Sequence, residues 1–380
     1  MSHPVFRVGP IRPPSECESL LLQVTQGCTW NKCKFCKLYR KTTFRAFSAD
    51  SIKQDIDAIV YYADMVRKHI TPDGRADVNA MNRELSTLEG EVQHCYYMVA
   101  NWMLRGAENV FLQDGNTLAL QDGRLTDVLH YLKAAFPSIK RITSYGRAES
   151  LCRLSVEDYK ELREAGLTRI HSGYESGSDE VLKFINKGVT AEQEIEAGKK
   201  VKAGGIELSV YFMPGVGGRA LSQQNALGMA RVVSEVNPDF LRIRTVAVKR
   251  RTELYEEFES GRMELCSDDE KVMELKTLIE NSDCDTMLVS DHIMNLLPDI
   301  EGRLNTDKAK MLKTIDDYFA LPELDRRVYQ LLRRSCRVER ISDLKHLGST
   351  ERRMLEKACL ETPDEKEWAI KMNELLIKYV

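Results

Sequence analysis

The stretch Leu20–Cys36, LLLQVTQGCTWNKCKFC, decides how the rest of the chain is read. Leu20–Val24 is a short apolar run that gives way to Thr25, Gln26 and Gly27, the pattern of a buried strand leading into a loop. Three cysteines follow on that loop at C-x4-C-x2-C: Cys28, Cys33 and Cys36. Such short spacings let one loop present three thiolates to one centre, and the softness of thiolate selects zinc, copper(I) or iron–sulfur. A structural zinc site wants four protein ligands, and a four-iron cluster normally takes four thiolates. Three thiolates on one loop therefore leave one position open, where chemistry can occur. Lys32, Lys34, Lys37, Arg40 and Lys41 crowd the same loop, and nearby cations favour the thiolate form. On spacing alone the alternative is a zinc site completed by His94, Cys17 or Cys95.

Outward from this loop, short apolar segments alternate with amphipathic ones. Ile52, Ile56, Ile59, Val60, Ala63, Val66 and Ile70 fall at helical spacing, which predicts a helix over about 49–70 with Ser48 as its N-cap. Residues 71–106 break the rhythm and read as a largely helical insertion. Strand 109–113, helix 122–136 and strand 142–145 come next. Ser155 with Asp158, and Thr190 with Gln193, have the spacing of capping boxes that open two further helices. Strands 168–172, 208–212 and 240–245 and helix 221–235 complete six β/α units over about 18–250. Strands alternating with helices predict parallel pairing through right-handed crossovers. Six units fit an open doubly wound sheet or an incomplete barrel; in both, functional groups gather at the C-terminal ends of strands. Beyond about 260 the sequence reads as mostly helical.

Composition bounds the function. Of 380 residues, 43% are hydrophobic and 30% charged, which excludes a disordered chain. The formal net charge of −3 does not indicate a strongly basic nucleic-acid binder. No uncharged apolar run reaches the ~18 residues of a membrane span, and the first sixteen residues carry Pro and charge where a signal peptide needs an apolar run. The expectation is a cytoplasmic protein with no membrane partner. Its ten cysteines are then better read as metal ligands or catalytic groups than as a disulfide framework. The seven outside the triplet show no second cluster spacing.

The triplet, ending in Cys33-Lys-Phe35-Cys36 after the first strand and leading into six β/α units, resembles the radical S-adenosylmethionine (SAM) superfamily. The spacing most common there is C-x3-C-x2-C. The extra residue in CTWNKC resembles a subgroup related to oxygen-independent coproporphyrinogen oxidase-like and Elp3-like proteins. Later motifs come in the family's order. Asp114-Gly115-Asn116 stands where the family often has Gly-Gly-Glu. Thr143-Ser-Tyr145-Gly-Arg147 ends the third strand. His171-Ser-Gly-Tyr174-Glu175-Ser176-Gly-Ser178 is similar to the family's GxESGS segment. Met213-Pro-Gly215-Val-Gly217-Gly218 is similar to its glycine-bearing turn, and Ser290-Asp291-His292-Ile-Met-Asn295 also resembles the subgroup.

The resemblance implies an α/β fold, a partial (β/α)6 barrel with a helical C-terminal extension. Its division is an N-terminal segment 1–17, a core 18–250 containing the insertion at about 71–106, and a C-terminal region 251–380. It implies that Cys28, Cys33 and Cys36 hold three irons of a [4Fe–4S] cluster whose fourth iron binds SAM, with Phe35 shielding the cluster. Asp114 would meet the SAM amino group and Arg147 its carboxylate. Glu175 and Ser176 would meet the ribose and its polar groups, and Gly215 and Gly217 would let backbone approach the adenine. Arg244, on the last strand, joins the cofactor set. Without the resemblance these residues read more plainly: Asp114 as a turn residue, Glu175 as a helix-start charge, Arg147 as a solvated loop charge, the glycines as a turn. Candidates for work on substrate are Tyr145, His171, Tyr211, Arg242, Asp291 and His292, with Tyr174 beside them. The implied activity is reductive cleavage of SAM to a 5′-deoxyadenosyl radical that abstracts hydrogen from a substrate. A small metabolite or tetrapyrrole-like molecule is favoured, and RNA is the second class, since 321–360 carries ten Lys/Arg against six Asp/Glu. A low-potential donor such as flavodoxin or ferredoxin would supply the electron. The competing reading is a non-enzymatic zinc or iron–sulfur protein using the same cysteines.

Overall fold

The computed structural model describes residues 3–120 and 123–379. Its strands are β1 (Leu20–Gln23), β2 (Thr25–Gln26), β3 (Arg45–Ala46), β4 (Asn109–Gln113), β5 (Arg141–Tyr145), β6 (Leu167–Glu175), β7 (Glu207–Phe212), β8 (Phe240–Ile243), β9 (Met287–Val289) and β10 (Gly302–Arg303). The chain is α/β: β1 and β4 to β8 are each followed by helix, which makes six β/α repeats, and a largely helical C-terminal region follows. It divides into two units. One comprises Met1–Thr29, Lys41–His171 and Lys200–Glu207; the other comprises Trp30–Arg40, Ser172–Lys199 and Leu208–Val380.

In the first unit, β1, β4, β5 and the start of β6 pair in that order, all parallel, with Leu20 opposite Val110 and Asn109 opposite Arg141. The central strands are buried on both faces and read as continuous apolar runs, as parallel strands covered by helices do. Helix Ala49–Arg67 begins where predicted, with the Ser48 side chain accepting from Ser51 N, and buries Ile52, Ile56, Ile59 and Val66. It packs on helices Gly90–Leu104 and Arg124–Ala135. The 71–106 segment holds helices Val78–Leu85 and Gly90–Leu104. Asp122, the first residue of the predicted helix 122–136, lies outside the described residues. The Ser155–Asp158 capping box forms reciprocally.

In the second unit, β7, β8 and β9 are parallel and β10 runs antiparallel to β9. No residue pattern marks β9 and β10, because runs of three and two residues are too short to show alternation. Thr190 and Gln193 exchange the two hydrogen bonds of their predicted capping box. Helix Ser222–Val236 packs on helix Asp268–Asn281, and Val181, Val216, Val246, Leu254 and Ala369 are buried in one cluster. No helix among the described residues is long and apolar enough to cross a membrane.

One close approach in this unit tests the packing. A Cβ on Gly177 would lie 2.3 Å from Gly228 O and 2.7 Å from Val232 Cγ2, both on helix Ser222–Val236. Backbone cannot swing aside as a side chain can, so Gly177→Ala is expected to cost about 3 kcal/mol. Gly348 caps helix Ser349–Leu360 with φ −65° and open space around its Cα, so Gly348→Ala meets no clash and is expected to cost no more than about 1 kcal/mol, the difference between glycine and alanine at an N-cap. Urea unfolding of the two variants beside the native chain measures the difference.

Candidate functional site

In the first unit, the loop after β1 is tied to the ends of β4 and β5. Asp114 is fully buried; its Oδ2 accepts from Gly27 N at 2.9 Å, one residue before Cys28. Its Oδ1 is buried without a hydrogen-bond partner. Burial pushes its carboxyl up to about 6, against the pull of Gly27 N–H and then of Gln23 and Gly115. Asn116 completes the tie: its amide donates to Thr29 Oγ1 and Ser150 Oγ, and its carbonyl accepts from Arg147 N at 3.0 Å. Arg147 is buried, and its Nη1 lies 4.0 Å from Cys28 Sγ. Asp114 and Asn116 therefore do more than turn the chain, since each holds one end of the residues that flank Cys28.

Tyr145 and His171 also sit in this unit, with ring centroids 5.7 Å apart. His171 is fully buried, and its Nε2 is 3.4 Å from Oε1 of the fully buried Glu16. Glu16 also accepts from Ser19 Oγ at 2.6 Å. Burial works to raise the Glu16 carboxyl, but the contacts with His171, Ser19 and Arg141 hold it below the usual value. Nothing in the sequence marked Glu16, which lies in a Pro-rich leader 155 residues from its partner.

In the second unit, the loop Trp30–Arg40 carries Cys33 and Cys36. The Arg40 side chain donates to both carbonyls, to Cys33 O at 2.9 Å and to Cys36 O at 3.1 Å. Lys34 pairs with Glu257 at 2.7 Å. Trp30 Nε1 donates to Asn186 O at 2.7 Å, and its ring lies where a Cβ on Gly188 would be, 2.5 Å away. The Asn186-Lys187-Gly188 segment thus seats the tryptophan of the loop. Phe35 packs at the edge of the apolar cluster, with Lys187 Nζ 5.8 Å from its ring centre. All ten cysteines are thiols rather than half-cystines. Among the described residues no three His, Cys, Asp or Glu side chains gather to hold a metal ion.

Glu175 ends β6 with φ +70°, a left-handed conformation uncommon for a residue with a side chain. Two contacts hold it there: its carbonyl accepts from Met213 N at 2.9 Å, and its carboxylate meets Lys187 Nζ at 3.3 Å. Ser176 is fully buried and its hydroxyl accepts from Ser178 N. The turn after β7 is held from beneath by Glu274, which sequence reasoning missed. This fully buried carboxylate accepts from Gly215 N at 3.1 Å, from Asn225 Nδ2 at 2.8 Å and from Ser222 Oγ at 2.8 Å. Burial pushes it up to about 7 despite those donors. Gly217 stands in the same turn, where a Cβ would meet Leu221.

Four of the remaining candidates meet at the end of β8. Arg242 and Arg244 both pair with Asp291, at 2.5 and 2.8 Å, and the Arg244 guanidinium stands 5.1 Å from the centre of the Tyr211 ring. Asn295 fastens this segment: it accepts from Thr245 N and Thr245 Oγ1 and donates to Ile243 O. That gives the Ser290–Asn295 stretch a structural task at the strand end. His292 accepts from Met294 N at Nδ1. Burial, and then Arg244 and Lys249, push its imidazole down to about 4, so it is neutral at pH 7.

In donor type, though not as a gathered set of ligands, the residues suit an iron–sulfur cluster and SAM. The donor set is three unbridged thiols on one loop with a guanidinium beside the first sulfur. The orphaned Oδ1 of Asp114 is an acceptor of the kind an ammonium would fill. Residues 95–227 match the Radical SAM superfamily. Two tRNA uridine(34) acetyltransferases are similar in sequence. The one from Methanocaldococcus infernus is 28% identical over 34% of this chain and 26% of its own length; the one from Methanocaldococcus jannaschii is 32% identical over 31% and 23%. The chain thus spans about a quarter of the length of these relatives. An archaeal Elp3 structure from Methanocaldococcus infernus aligns over 56% of this chain and 54% of that one, at 18% identity and a TM-score of 0.41.

Asp114 carries a test independent of any cofactor. Its carboxyl, ordinarily near 4, is held at about 6. As pH rises through that window the folded protein binds more protons than the unfolded chain, so stability falls. Asp114→Asn keeps an acceptor for Gly27 N and removes the ionisation. It is expected to be more stable than the native chain at pH 8, by up to about 3 kcal/mol, and to lose that advantage by pH 4. Urea unfolding at the two pH values measures it.

Proposed function

We propose that the chain is a radical SAM enzyme that uses a [4Fe–4S] cluster and SAM to generate a 5′-deoxyadenosyl radical and abstract hydrogen from RNA; residues 95–227 match that superfamily. What carries the reading is the C-x4-C-x2-C loop, with the Arg147 guanidinium on its first sulfur and the buried Asp114 carboxylate one residue before it.

Cys28, Cys33 and Cys36 are the proposed iron ligands. When bound, the cluster supplies the electron that breaks the sulfonium C–S bond of SAM, and the chemistry is the cofactor's. The chain binds and orients. Asp114 Oδ1 accepts from the SAM ammonium, and the added positive charge would draw its carboxyl back toward full ionisation. Arg147 pairs with the SAM carboxylate in a charge-assisted contact. Glu175, turned out of the strand by its left-handed backbone, accepts from the ribose hydroxyls with Ser176 beside it. Gly215 and Gly217 present backbone to the adenine, on a turn that Glu274 keeps in place. Arg244 completes the cofactor set, and Phe35 keeps water from the cluster. Tyr145, His171, Tyr211, Arg242, Asp291 and His292 remain the candidates on the substrate side. The core is residues 18–250, with 251–380 as its helical extension.

RNA takes precedence over the small or tetrapyrrole-like substrate first expected. The two similar curated proteins act, by name, on a tRNA uridine, and 321–360 has an excess of basic residues. The electron comes from a low-potential carrier such as flavodoxin or ferredoxin in the cytoplasm.

The test is anaerobic reconstitution with iron and sulfide. The reduced protein is expected to give an EPR signal that changes when SAM is added, and dithionite is expected to yield 5′-deoxyadenosine. Cys28→Ala, Cys33→Ala and Cys36→Ala should each lower that yield by at least about a hundredfold, the loss expected when a ligand goes. An EPR signal indifferent to SAM would sink the cofactor reading. Addition of bulk tRNA should raise the rate of 5′-deoxyadenosine formation; no change would remove RNA and leave the radical chemistry standing.

A further inference from the structure

Within the second unit lies an open cavity of about 1150 Å³, built by the Ser290–Ile293 segment, helices Lys308–Phe319 and Glu323–Arg334, and the residues that follow them. It exceeds the ~300–1,000 Å³ of a typical small-ligand site. Its wall contains Arg333, which is only 8% exposed. Among the described residues no carboxylate lies within ion-pair distance of Arg333, and its buried Nε has no hydrogen-bond partner. A buried guanidinium in that state is costly, since a charge taken from water normally finds a counter-charge.

The next residue shows what the same helix does with an arginine used for stability. Arg334 is buried and grips Asp268 with two bonds, Nε at 2.8 Å and Nη2 at 2.7 Å. Most acids around the cavity are likewise committed: Asp291 to Arg242 and Arg244, Asp299 to Arg340, Glu351 to Arg337, and Asp343 to the backbone N–H groups of Glu339 and Arg340. Lys310 and His346, both exposed on the same wall, have no ion pair among the described residues. The wall therefore offers a buried arginine and two further basic groups that make no ion pair among the described residues, beside Glu301, which accepts from Ser290 N, and Glu339.

We infer that this cavity is an anion site that takes a phosphate group, held by Arg333 with Lys310 and His346. Arginine's planar fork matches phosphate oxygens, and a dianion uses more than one cation where a carboxylate would be content with one. The phosphate can belong to a phosphorylated small molecule or to an RNA backbone. The inference stands apart from the proposed radical chemistry, because phosphate binding is measured without SAM cleavage.

The test is calorimetric titration of the full chain with inorganic phosphate, a nucleoside 5′-monophosphate, the same nucleoside without phosphate, and a single-stranded ten-nucleotide RNA. The monophosphate should bind at least about tenfold more tightly than the nucleoside, and Arg333→Met should remove that advantage. Arg333→Met should also melt no lower than the native chain, because it deletes an uncompensated buried charge. RNA binding that falls steeply with salt and is weakened by Arg333→Met assigns the phosphate to a polynucleotide. Binding of the monophosphate alone assigns it to a small molecule. Equal affinity for nucleoside and monophosphate, unchanged phosphate binding in Arg333→Met, or a marked drop in its melting temperature would each overturn the inference.

Discussion

Burying a carboxylate forces its surroundings to answer it, and helix Asp268–Asn281 buries two. Glu274 is answered by Gly215 N, Ser222 and Asn225, so the turn after β7 and the head of helix Ser222–Val236 are fixed relative to this helix. Asp268 is answered by Arg334 and Lys271, which overcome the cost of burial and hold it down to about 2. Asp269, beside it, accepts from Tyr318, Arg326 and Gln330. Gln330 in turn accepts from Trp368 Nε1 on the last helix. A chain of polar contacts thus runs from a strand-end turn to the C-terminal helices. Each link is one that apolar packing alone would leave free to slide.

The strand ends show how backbone geometry is set by partners elsewhere in the unit. Glu175 keeps a left-handed backbone because Met213 N and Lys187 hold its two ends. Lys187 lies in the segment that seats Trp30, so the conformation of Glu175 and the placement of the cysteine-bearing loop have a common support. At β8 the support is Asn295, whose amide group takes the place of a continuing strand by satisfying Ile243 O and Thr245 N. Side chains at these ends are thereby held by two or more contacts each, the condition for a site with fixed geometry.

Much of this was legible in the sequence, and what was not has a common cause. The strands of the first unit were visible because parallel strands buried on both faces have apolar centres, as Val110, Phe111 and Leu112 show. The helix at Ala49 was visible through its period and its serine cap. The cysteine triplet was visible because its members are adjacent in the chain. Glu16, Asn116, Glu274 and Asn295 were invisible because their meaning lies in partners 31 to 155 residues away. In a linear reading Glu274 is one more charge in the middle of a helix rich in acids. Asp114 fell between the two: its position at a strand end was readable, but its bond to Gly27, 87 residues away, was not.

Against that background the buried polar atoms left without partners carry information. A fold that meets Asp268 with two cations and Glu274 with three donors has the means to satisfy its interior. Asp114 Oδ1 and Arg333 Nε are nonetheless left unmet, an acid in one unit and a base in the other, as are both carboxylate oxygens of the buried Glu194. Both residues belong to regions already marked on other grounds, Asp114 by the loop of three thiols and Arg333 by a large open cavity. Folding alone gives no reason to keep either charge, since an uncharged residue of similar shape would cost less. A ligand that brings the opposite charge to each supplies that reason, because local conflict with good folding is expected where a site has been built.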